Sequence, residues 1–361
     1  MEYILLTPGP TPLPPSVYKA MSAEILHHRT AEFGVQFERV LADLKLVYRT
    51  KGEVLMMTCS GTGAMESTVV NLLAPGDKTL VHQTGAFGER FTKIQRAYGL
   101  DPVVVDEVWG HGADPEKLRA ALKKTPGLKA VFFQHTDTST GVVNDLKLLA
   151  SIVHEIQPEA LVVVDSISGL GAEELEMDDW TLDVVITGSQ KGLMAPPGLA
   201  FAALSERAWR VVETAKLPRF YFDWRTMRKS LPKKETPYTP AVTLVAAQAE
   251  ALRLIREEGM EQVWKRTRDL AAYTRAEVQK MGLTLFAHAP ADILTGVNLP
   301  PSVDGKKLIK DILKEEKISI AGGQLHLEGK IVRIAHMGWI KKSDVDAGLK
   351  ALAKRLQPTH A

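Results

Sequence analysis

Two stretches, "LVVVDSISGLG" (residues 161–171) and "DVVITGSQK" (183–191), decide the fold of this chain. Each stretch contains a continuous apolar run near its start. Such runs are typical of strands that other elements cover on both faces. Asp165 ends the first run, and Lys191, 26 residues later, follows the second. This spacing suits one strand–crossover–strand unit, so the two runs are predicted to be neighbouring parallel strands.

Similar apolar runs recur through the first half of the chain. Between them, apolar residues return at helical spacing, for example from Leu146 to Ile156, after a cap at Asn144 or Asp145. The alternation predicts an α/β fold, with a mainly parallel sheet and right-handed helical crossovers. The predicted strands are residues 53–58, 79–83, 129–135, 160–165, 183–188 and 199–205.

A proline-rich, charged passage, "SLPKKETPYTP" (230–240), interrupts this order. We therefore predict a large domain over residues 16–240 and a smaller α+β domain over residues 241–361, which the N-terminal segment 1–15 joins. In the small domain, "ILTGVNL" and "KIVRIAH" are predicted strands. Its helices are predicted near residues 242–258, 261–280, 304–316 and 342–357.

Composition excludes several classes of protein. The formal charge is +2 without a long basic run, which argues against a nucleic-acid or membrane-surface binder. No apolar stretch is long enough to span a bilayer, and the N-terminus lacks the pattern of a signal peptide. A single cysteine, Cys59, leaves no internal disulfide and no thiolate metal site. We expect a cytoplasmic protein, and the low count of three asparagines hints at a thermophilic source.

Three groups at predicted strand ends could carry chemistry. Residues 60–63, "SGTG", lie between a strand and a helix, where amides and hydroxyls can bind an anion. Asp165 ends an apolar strand, and Lys191 follows the next. Each alone has an ordinary explanation: a strand–helix turn, an aspartate that caps a helix, a lysine that extends to solvent. Together they match pyridoxal phosphate, which needs a phosphate cradle, a carboxylate at its pyridine nitrogen and an amine.

The chain resembles the class V aminotransferases of fold type I, nearest to the alanine–glyoxylate and serine–pyruvate group. The resemblance covers nearly the whole length, and its lysine and aspartate motifs are the most specific. The resemblance implies a large domain that binds pyridoxal phosphate and a small C-terminal domain. The motifs, in order, are "TPGPTPLPP", "SGTGAMES", "TGAFGERF", "DTSTGVV", "VVVDSISGLG", "TGSQKGLMAPPG", "TPYTP" and "VRIAHMG".

The resemblance assigns roles to individual residues around the cofactor. Lys191 corresponds to the Schiff-base lysine, and Asp165 to the partner of the pyridinium nitrogen. Phe87 falls where the family stacks an aromatic ring on the cofactor, although many relatives have a tryptophan there. Thr138 matches a hydroxyl residue near the phenolic oxygen. The implied phosphate ligands are Thr62, Gly63, Ala64 and Gln190.

The resemblance also implies a homodimer and a substrate site. Thr239 falls where the family sends a residue across the interface to the other subunit's phosphate. Some relatives have a tyrosine at the position of Thr236, which makes a contact of its own. In this chain Tyr238 either replaces that tyrosine contact or does not. Arg333 matches the arginine that binds the substrate carboxylate, for which a planar guanidinium is well suited. Gly9 is expected to donate its amide to the same carboxylate.

The expected activity is transfer of an amino group from a small amino acid, alanine or serine, to a 2-oxo acid such as glyoxylate or pyruvate. An aspartate aminotransferase is the alternative, and Arg29 or Arg225 would then supply a second cation. His28 and Arg29 either line the substrate entrance or end a solvated helix. A lyase or desulfurase would need a reactive cysteine on a mobile loop, and Cys59 adjoins the phosphate cradle. A non-enzymatic accessory subunit would be expected to lose the lysine, the aspartate or the arginine.

Overall fold

The computed structural model describes residues 3–356, and the large sheet within it has seven strands. Their spatial order is β2-β10-β9-β8-β5-β3-β4; β10 is antiparallel to its neighbours and the other pairs are parallel. The thirteen strands of the described residues are β1 (Ile4–Leu6), β2 (Glu53–Met57), β3 (Thr79–Gln83), β4 (Val103–Asp106), β5 (Ala130–Gln134), β6 (Thr136–Asp137), β7 (Val142–Val143), β8 (Leu161–Asp165), β9 (Val184–Gly188), β10 (Ala200–Leu204), β11 (Leu294–Asn298), β12 (Ile318–Gly322) and β13 (Ile331–Ala335).

Helices cover both faces of this sheet, as the continuous apolar runs predict. On β8, Val162 and Val164 pack into one core, whereas Leu161 and Val163 pack into the core on the opposite face. The α/β fold with a mainly parallel sheet is therefore confirmed. The helices are α1 (Pro15–Met21), α2 (Ala31–Tyr48), α3 (Gly61–Leu72), α4 (Ala86–Ala97), α5 (Pro115–Lys124), α6 (Leu146–Ile156), α7 (Glu206–Val212), α8 (Trp224–Ser230), α9 (Val242–Glu258), α10 (Met260–Lys280), α11 (Gly305–Glu316) and α12 (Lys342–Leu356).

A second, four-stranded sheet has the order β1-β12-β13-β11. The N-terminal strand β1 pairs in parallel with β12, so residues from both ends of the chain share one sheet. Helices α10, α11 and α12 pack against it and contribute to a separate apolar core. No helix of the described residues is long and apolar enough to cross a membrane.

The two cores meet along α10 rather than at residue 240. Helix α9 packs against α1 and α2 and buries Val245, Leu252 and Ile255 in a core of the large sheet. Near the start of α10, Trp264 belongs to that same core, whereas Val278, near its end, belongs to the core of the small sheet. By packing, α9 therefore belongs with the large sheet, although the sequence pattern assigns it to the small domain.

Candidate active site

The candidate site lies at the carboxyl ends of β8 and β9, where ligands bind to open α/β sheets. Asp165 is the last residue of β8, and Lys191 follows the end of β9 by three residues. Strand pairing puts Asp165 beside Gln134 of β5 and Ile186 of β9, in the middle of the sheet. The two groups that the sequence predicts to work together are therefore held by adjacent strands.

Lys191 is buried, with 9% of its surface exposed. Its Nζ donates a hydrogen bond to the carbonyl oxygen of Pro8, in the N-terminal segment. Burial lowers the pKa of the Lys191 amine to about 8; the charge of Asp165 opposes this shift, and the cations Arg333 and Arg90 add to it. A lowered pKa makes the neutral, nucleophilic amine available near neutral pH.

Asp165 is also buried, and its Oδ1 accepts a hydrogen bond of 2.8 Å from the Ile167 amide. Burial raises the pKa of its carboxyl to about 7, and the nearby charge of Asp137 contributes to the increase. A buried carboxylate is costly unless a cation or strong donor faces it. The environment of Asp165 therefore suits a protonated ring nitrogen of a bound cofactor.

The start of α3 forms the predicted phosphate cradle. Ser60, the residue before the helix, makes no capping hydrogen bond with its side chain, so the first-turn amides are left for another acceptor. At Gly63, a Cβ atom would lie 2.8 Å from Sγ of Cys59, which explains the glycine. Thr62 is exposed beside it. The amide of Ala64, however, donates to the Ser60 carbonyl at 3.2 Å, so the helix itself uses this predicted phosphate donor.

Gln190, another predicted phosphate ligand, precedes Lys191 in the chain. Its Oε1 is buried and has no hydrogen-bond partner within residues 3–356. Because a buried amide oxygen without a partner is costly, this side chain is suited to a further polar ligand. The open helix start and this amide together fit the phosphate of pyridoxal phosphate.

Phe87 lies in the first turn of α4, half-buried, and its amide donates to Oδ2 of Asp137 at 3.0 Å. The guanidinium carbon of Arg90 lies 4.7 Å from the centre of the Phe87 ring. Arg90 also donates to the hydroxyl of Thr62 at 3.1 Å. A single arginine therefore connects the predicted stacking ring to the phosphate cradle.

Arg333 extends from β13 and is buried, with 5% of its surface exposed. Its Nε donates to the carbonyl oxygen of Gly322 at 2.7 Å, and its Nη1 donates to the carbonyl oxygen of Thr138. Burial lowers the pKa of its guanidinium to about 10, a shift that the charge of Asp137 opposes. A guanidinium has five N–H donors, so three, one on Nη1 and two on Nη2, stay available for a carboxylate.

Gly9 lies directly against Lys191. Its φ is +111°, a backbone conformation that favours glycine, and an added Cβ would come within 2.8 Å of the Lys191 Nζ. The N-terminal segment thus forms one wall of the lysine pocket. Thr11 extends this wall, because its hydroxyl donates to the Lys191 carbonyl oxygen at 3.0 Å.

Several predicted residues make their polar contacts outside this cluster in the part of the chain that the structure describes. Thr239 is exposed, and its nearest polar contact is 3.5 Å to Nε2 of His28. Arg29 pairs with Glu235 at 2.8 Å. Arg225 is likewise paired, with the carboxylate of Asp223 at 3.1 Å. The charge of each arginine is thus already matched within the chain.

Two site residues were missed from the sequence, Asp137 and Arg90. Asp137 begins "DTSTG" and resembles an ordinary turn aspartate until its contacts with α4 are seen. Arg90 lies three residues after Phe87, on the same face of α4, and this helical spacing could have identified it. Cys59 needs no role, because burial raises the pKa of its thiol to about 12 and keeps it neutral.

The protein is similar to aminotransferases along its whole length. The model of the family described as Aminotransferase class-V matches residues 3–343. A soluble hydrogenase 42 kDa subunit from Anabaena cylindrica is 39% identical, over 95% of this chain and 90% of the relative. A serine–glyoxylate aminotransferase from Methylorubrum extorquens is 36% identical, over 92% and 86% of the two chains.

Solved structures agree with this assignment. An alanine–glyoxylate aminotransferase from Nostoc sp. superimposes with a TM-score of 0.95 at 30% identity, over 99% of this chain and 96% of that one. An aspartate aminotransferase from Thermus thermophilus gives 0.91 at 33% identity, over 98% and 99%. The family match, the relatives and the solved structures therefore indicate the same class of protein. The chain belongs to the class V aminotransferases, pyridoxal phosphate-dependent transaminases of fold type I.

Proposed function

We propose that this transaminase moves the amino group of alanine or serine to a small 2-oxo acid, glyoxylate or pyruvate. The observation that carries the proposal is the burial of an amine, Lys191, and a carboxylate, Asp165, after adjacent strands of the sheet. Arg333, near enough to lower the pKa of that amine, supplies the cation for a substrate carboxylate. These three groups meet the needs of amino-acid transamination.

When bound, pyridoxal phosphate supplies an electron sink for the charge that develops as the substrate loses its Cα proton. Lys191 would hold the cofactor through its aldehyde, and its neutral Nζ, once the substrate's amino group has displaced it, would take the Cα proton. Asp165 would hold the proton on the pyridine nitrogen. Lys191 and Asp165 are both buried, and charges interact more strongly where water is excluded. Burial therefore strengthens the interaction of each group with the cofactor.

Arg333 orients the substrate. Its Nε and one Nη1 proton are engaged by backbone carbonyls, which leaves N–H donors on Nη1 and Nη2 for the carboxylate. We expect the amide of Gly9, which packs beside Lys191, to donate to the same carboxylate. Two ligands on one carboxylate would hold the amino acid beside the Lys191 amine.

A small side chain is favoured over an acidic one. An acidic substrate needs a second cation, and both predicted candidates are paired: Arg29 with Glu235 and Arg225 with Asp223. The relative from Methylorubrum, named for serine, supports the same choice. The Thermus relative, named for aspartate, keeps that donor as the second candidate, since a partner subunit could rearrange these pairs.

We also propose a homodimer in which Thr239 contributes to the partner's cofactor site. An exposed aromatic cluster adjoins Thr239: the ring of Phe220, 80% exposed, stacks at 5.9 Å on Tyr238, which stacks at 5.4 Å on Tyr221. Exposed aromatic patches of this kind mark protein–protein interfaces. Light scattering of the purified protein would give the mass of two chains.

A half-reaction screen tests the activity. The cofactor-loaded enzyme is mixed with L-alanine, L-serine or L-aspartate, and the loss of the visible absorption band of the cofactor is followed. Alanine or serine should bleach the band fastest. Lys191→Ala should abolish turnover with every donor, and borohydride should no longer attach the cofactor to the peptide that contains residue 191. Full turnover by Lys191→Ala would refute the proposed function.

The accessory-subunit alternative is disfavoured by the same site. The Anabaena relative is named as a hydrogenase subunit, yet Lys191, Asp165 and Arg333 are all present and buried here. Burial of two cations and a carboxylate costs desolvation free energy, and a non-catalytic scaffold would gain no activity from it. A colourless protein that takes up no pyridoxal phosphate would favour that alternative.

A further inference from the structure

The N-terminus of α4 is capped by a residue from another element. Gly85, which precedes the helix, offers no side chain, and the helix has no capping bond of its own there. The first-turn amides of Phe87 and Gly88 instead donate to Oδ2 of Asp137, at 3.0 and 3.4 Å. The amide of Ala86 donates to the hydroxyl of Ser139 at 3.0 Å. Residues 137–139 thus replace the missing cap.

The Asp137 carboxylate is fully engaged. Its other oxygen, Oδ1, accepts from the Ser139 amide at 3.0 Å and from the Ser139 hydroxyl at 2.6 Å. The group is completely buried, and burial raises the pKa of its carboxyl while these hydrogen bonds lower it. A Cβ on Gly85 would lie 2.5 Å from Cγ of Asp137, so the two segments are in direct contact.

The same segment also holds the substrate arginine. The residue after Asp137 is Thr138, whose carbonyl oxygen accepts a hydrogen bond from Nη1 of Arg333. Asp137 therefore lies between the residue that carries the stacking ring, Phe87, and the backbone that orients Arg333. A displacement of Asp137 would be transmitted to both.

We infer that Asp137 is a positioning residue, which sets Phe87 against the cofactor ring and Arg333 against the substrate carboxylate without touching either molecule. The inference rests on the proposed function for the roles of Phe87 and Arg333. It departs from the sequence expectation for "DTSTG", where the hydroxyl of Thr138 was the functional group. In this inference the Asp137 side chain positions Phe87, and the Thr138 carbonyl oxygen positions Arg333.

The variant Asp137→Asn tests the inference. An amide keeps the size but offers only one acceptor oxygen, so either the helix amides or the Ser139 donors lose their partner. Since hydrogen bonds to a buried charge are strong, we expect the dissociation constant of pyridoxal phosphate and the KM of the amino donor each to rise about tenfold or more. The circular dichroism of the bound cofactor should change as well, because it reports the geometry around the ring.

Asp145→Ala is the matched control. Asp145 also caps a helix, with Oδ1 accepting from the Leu148 amide at 3.0 Å, but it is itself exposed, at the start of α6. Its loss should lower the melting temperature and leave the cofactor dissociation constant, the KM and the dichroism unchanged. If Asp137→Asn behaved like this control, with only its stability reduced, the inference would be overturned.

A second variant covers the case in which Asp137→Asn does not fold. Ser139→Ala keeps the carboxylate and removes the hydroxyl that bonds to Asp137 and to the Ala86 amide. It should raise the same two constants by a smaller factor, about threefold, and unchanged values would contradict the inference.

Hydrogen exchange separates this inference from the proposed function. In the cofactor-free protein, either variant should expose the amides of residues 86–88 to faster exchange, whether or not the protein transaminates. A wild-type protein inactive with every donor would refute the proposed function alone. Unchanged exchange at residues 86–88 in both variants would refute the cap, even in an active enzyme.

Discussion

Gly9→Ala is expected to disable the enzyme through the position of the Lys191 side chain. Gly9 adopts φ +111° and packs against the lysine, in a segment that reaches the site from the other end of the chain. The substitution adds one methyl group and changes no charge or hydrogen-bonding group. A fall in kcat would therefore report the space around the amine, whereas a rise in KM would report the Gly9 amide that we propose as a donor to the substrate carboxylate.

The size of the effect follows from the distances. The alanine Cβ would lie 2.8 Å from Nζ and closer still to Cδ and Cε, whereas ordinary contacts begin at about 3.5 Å. Nζ must then retreat by at least about 0.7 Å. Because a displacement of about 1 Å at a reacting group costs roughly 10²-fold in rate, we expect kcat to fall about 100-fold. The positive φ adds a destabilisation of about 1–3 kcal/mol.

Gly76→Ala separates the two effects. Gly76 has φ +87°, but within the described chain no atom lies within 4 Å of a Cβ added there. It should lose stability comparably and keep its kcat. Stopped-flow measurement of the half-reaction gives the rate, and thermal unfolding gives the stability. A Gly9→Ala enzyme as fast as Gly76→Ala would refute the reasoning that Gly9 limits the space for Lys191.

Three further outcomes are expected. The cofactor-free protein should capture pyridoxal phosphate about tenfold faster per pH unit below pH 8, and the rate should level off above pH 8. The reason is that burial lowers the pKa of the Lys191 amine to about 8. A capture rate that still rises at pH 10 would contradict this. Arg90→Met should raise the cofactor dissociation constant about five- to tenfold by removing the cation over Phe87, whereas Lys93→Met, on the same helix, should not; equilibrium dialysis compares them. Cys59→Ser should keep transamination within about twofold, since a thiol with a pKa near 12 stays neutral; a large loss would revive the desulfurase alternative.

The buried strands could be predicted from the sequence because their apolar runs leave no ambiguity. The run at 183–188 became β9 within one residue of its predicted start. Five strands were missed, β1, β4, β6, β7 and β12. Of these, β12 is an inner strand that alternates over only five residues, whereas β1 and β4 lie at the edges of their sheets. Edge strands bury few side chains, so their sequences show a weaker pattern of apolar residues.

The site followed the same division. Asp165 and Lys191 could be predicted to lie together because one ends its strand and the other follows the next strand by three residues. Asp137, in contrast, contacts a helix that lies 50 residues away in the chain. No local pattern encodes such a contact. The amide of Ala64, which the resemblance assigned to the phosphate, also takes part in the ordinary hydrogen bonding of its helix, so its role at the phosphate stays a prediction.

The N-terminal wall of the lysine pocket has a consequence for how the protein is made. Pro8 and Thr11 contact Lys191, whereas Arg333 belongs to β13, more than 300 residues later than these N-terminal contacts. A nascent polypeptide therefore cannot bring these groups together until β13 has left the ribosome, and contacts so distant in sequence slow folding. Until that strand is in place, Lys191 lacks the guanidinium that we propose binds the substrate carboxylate.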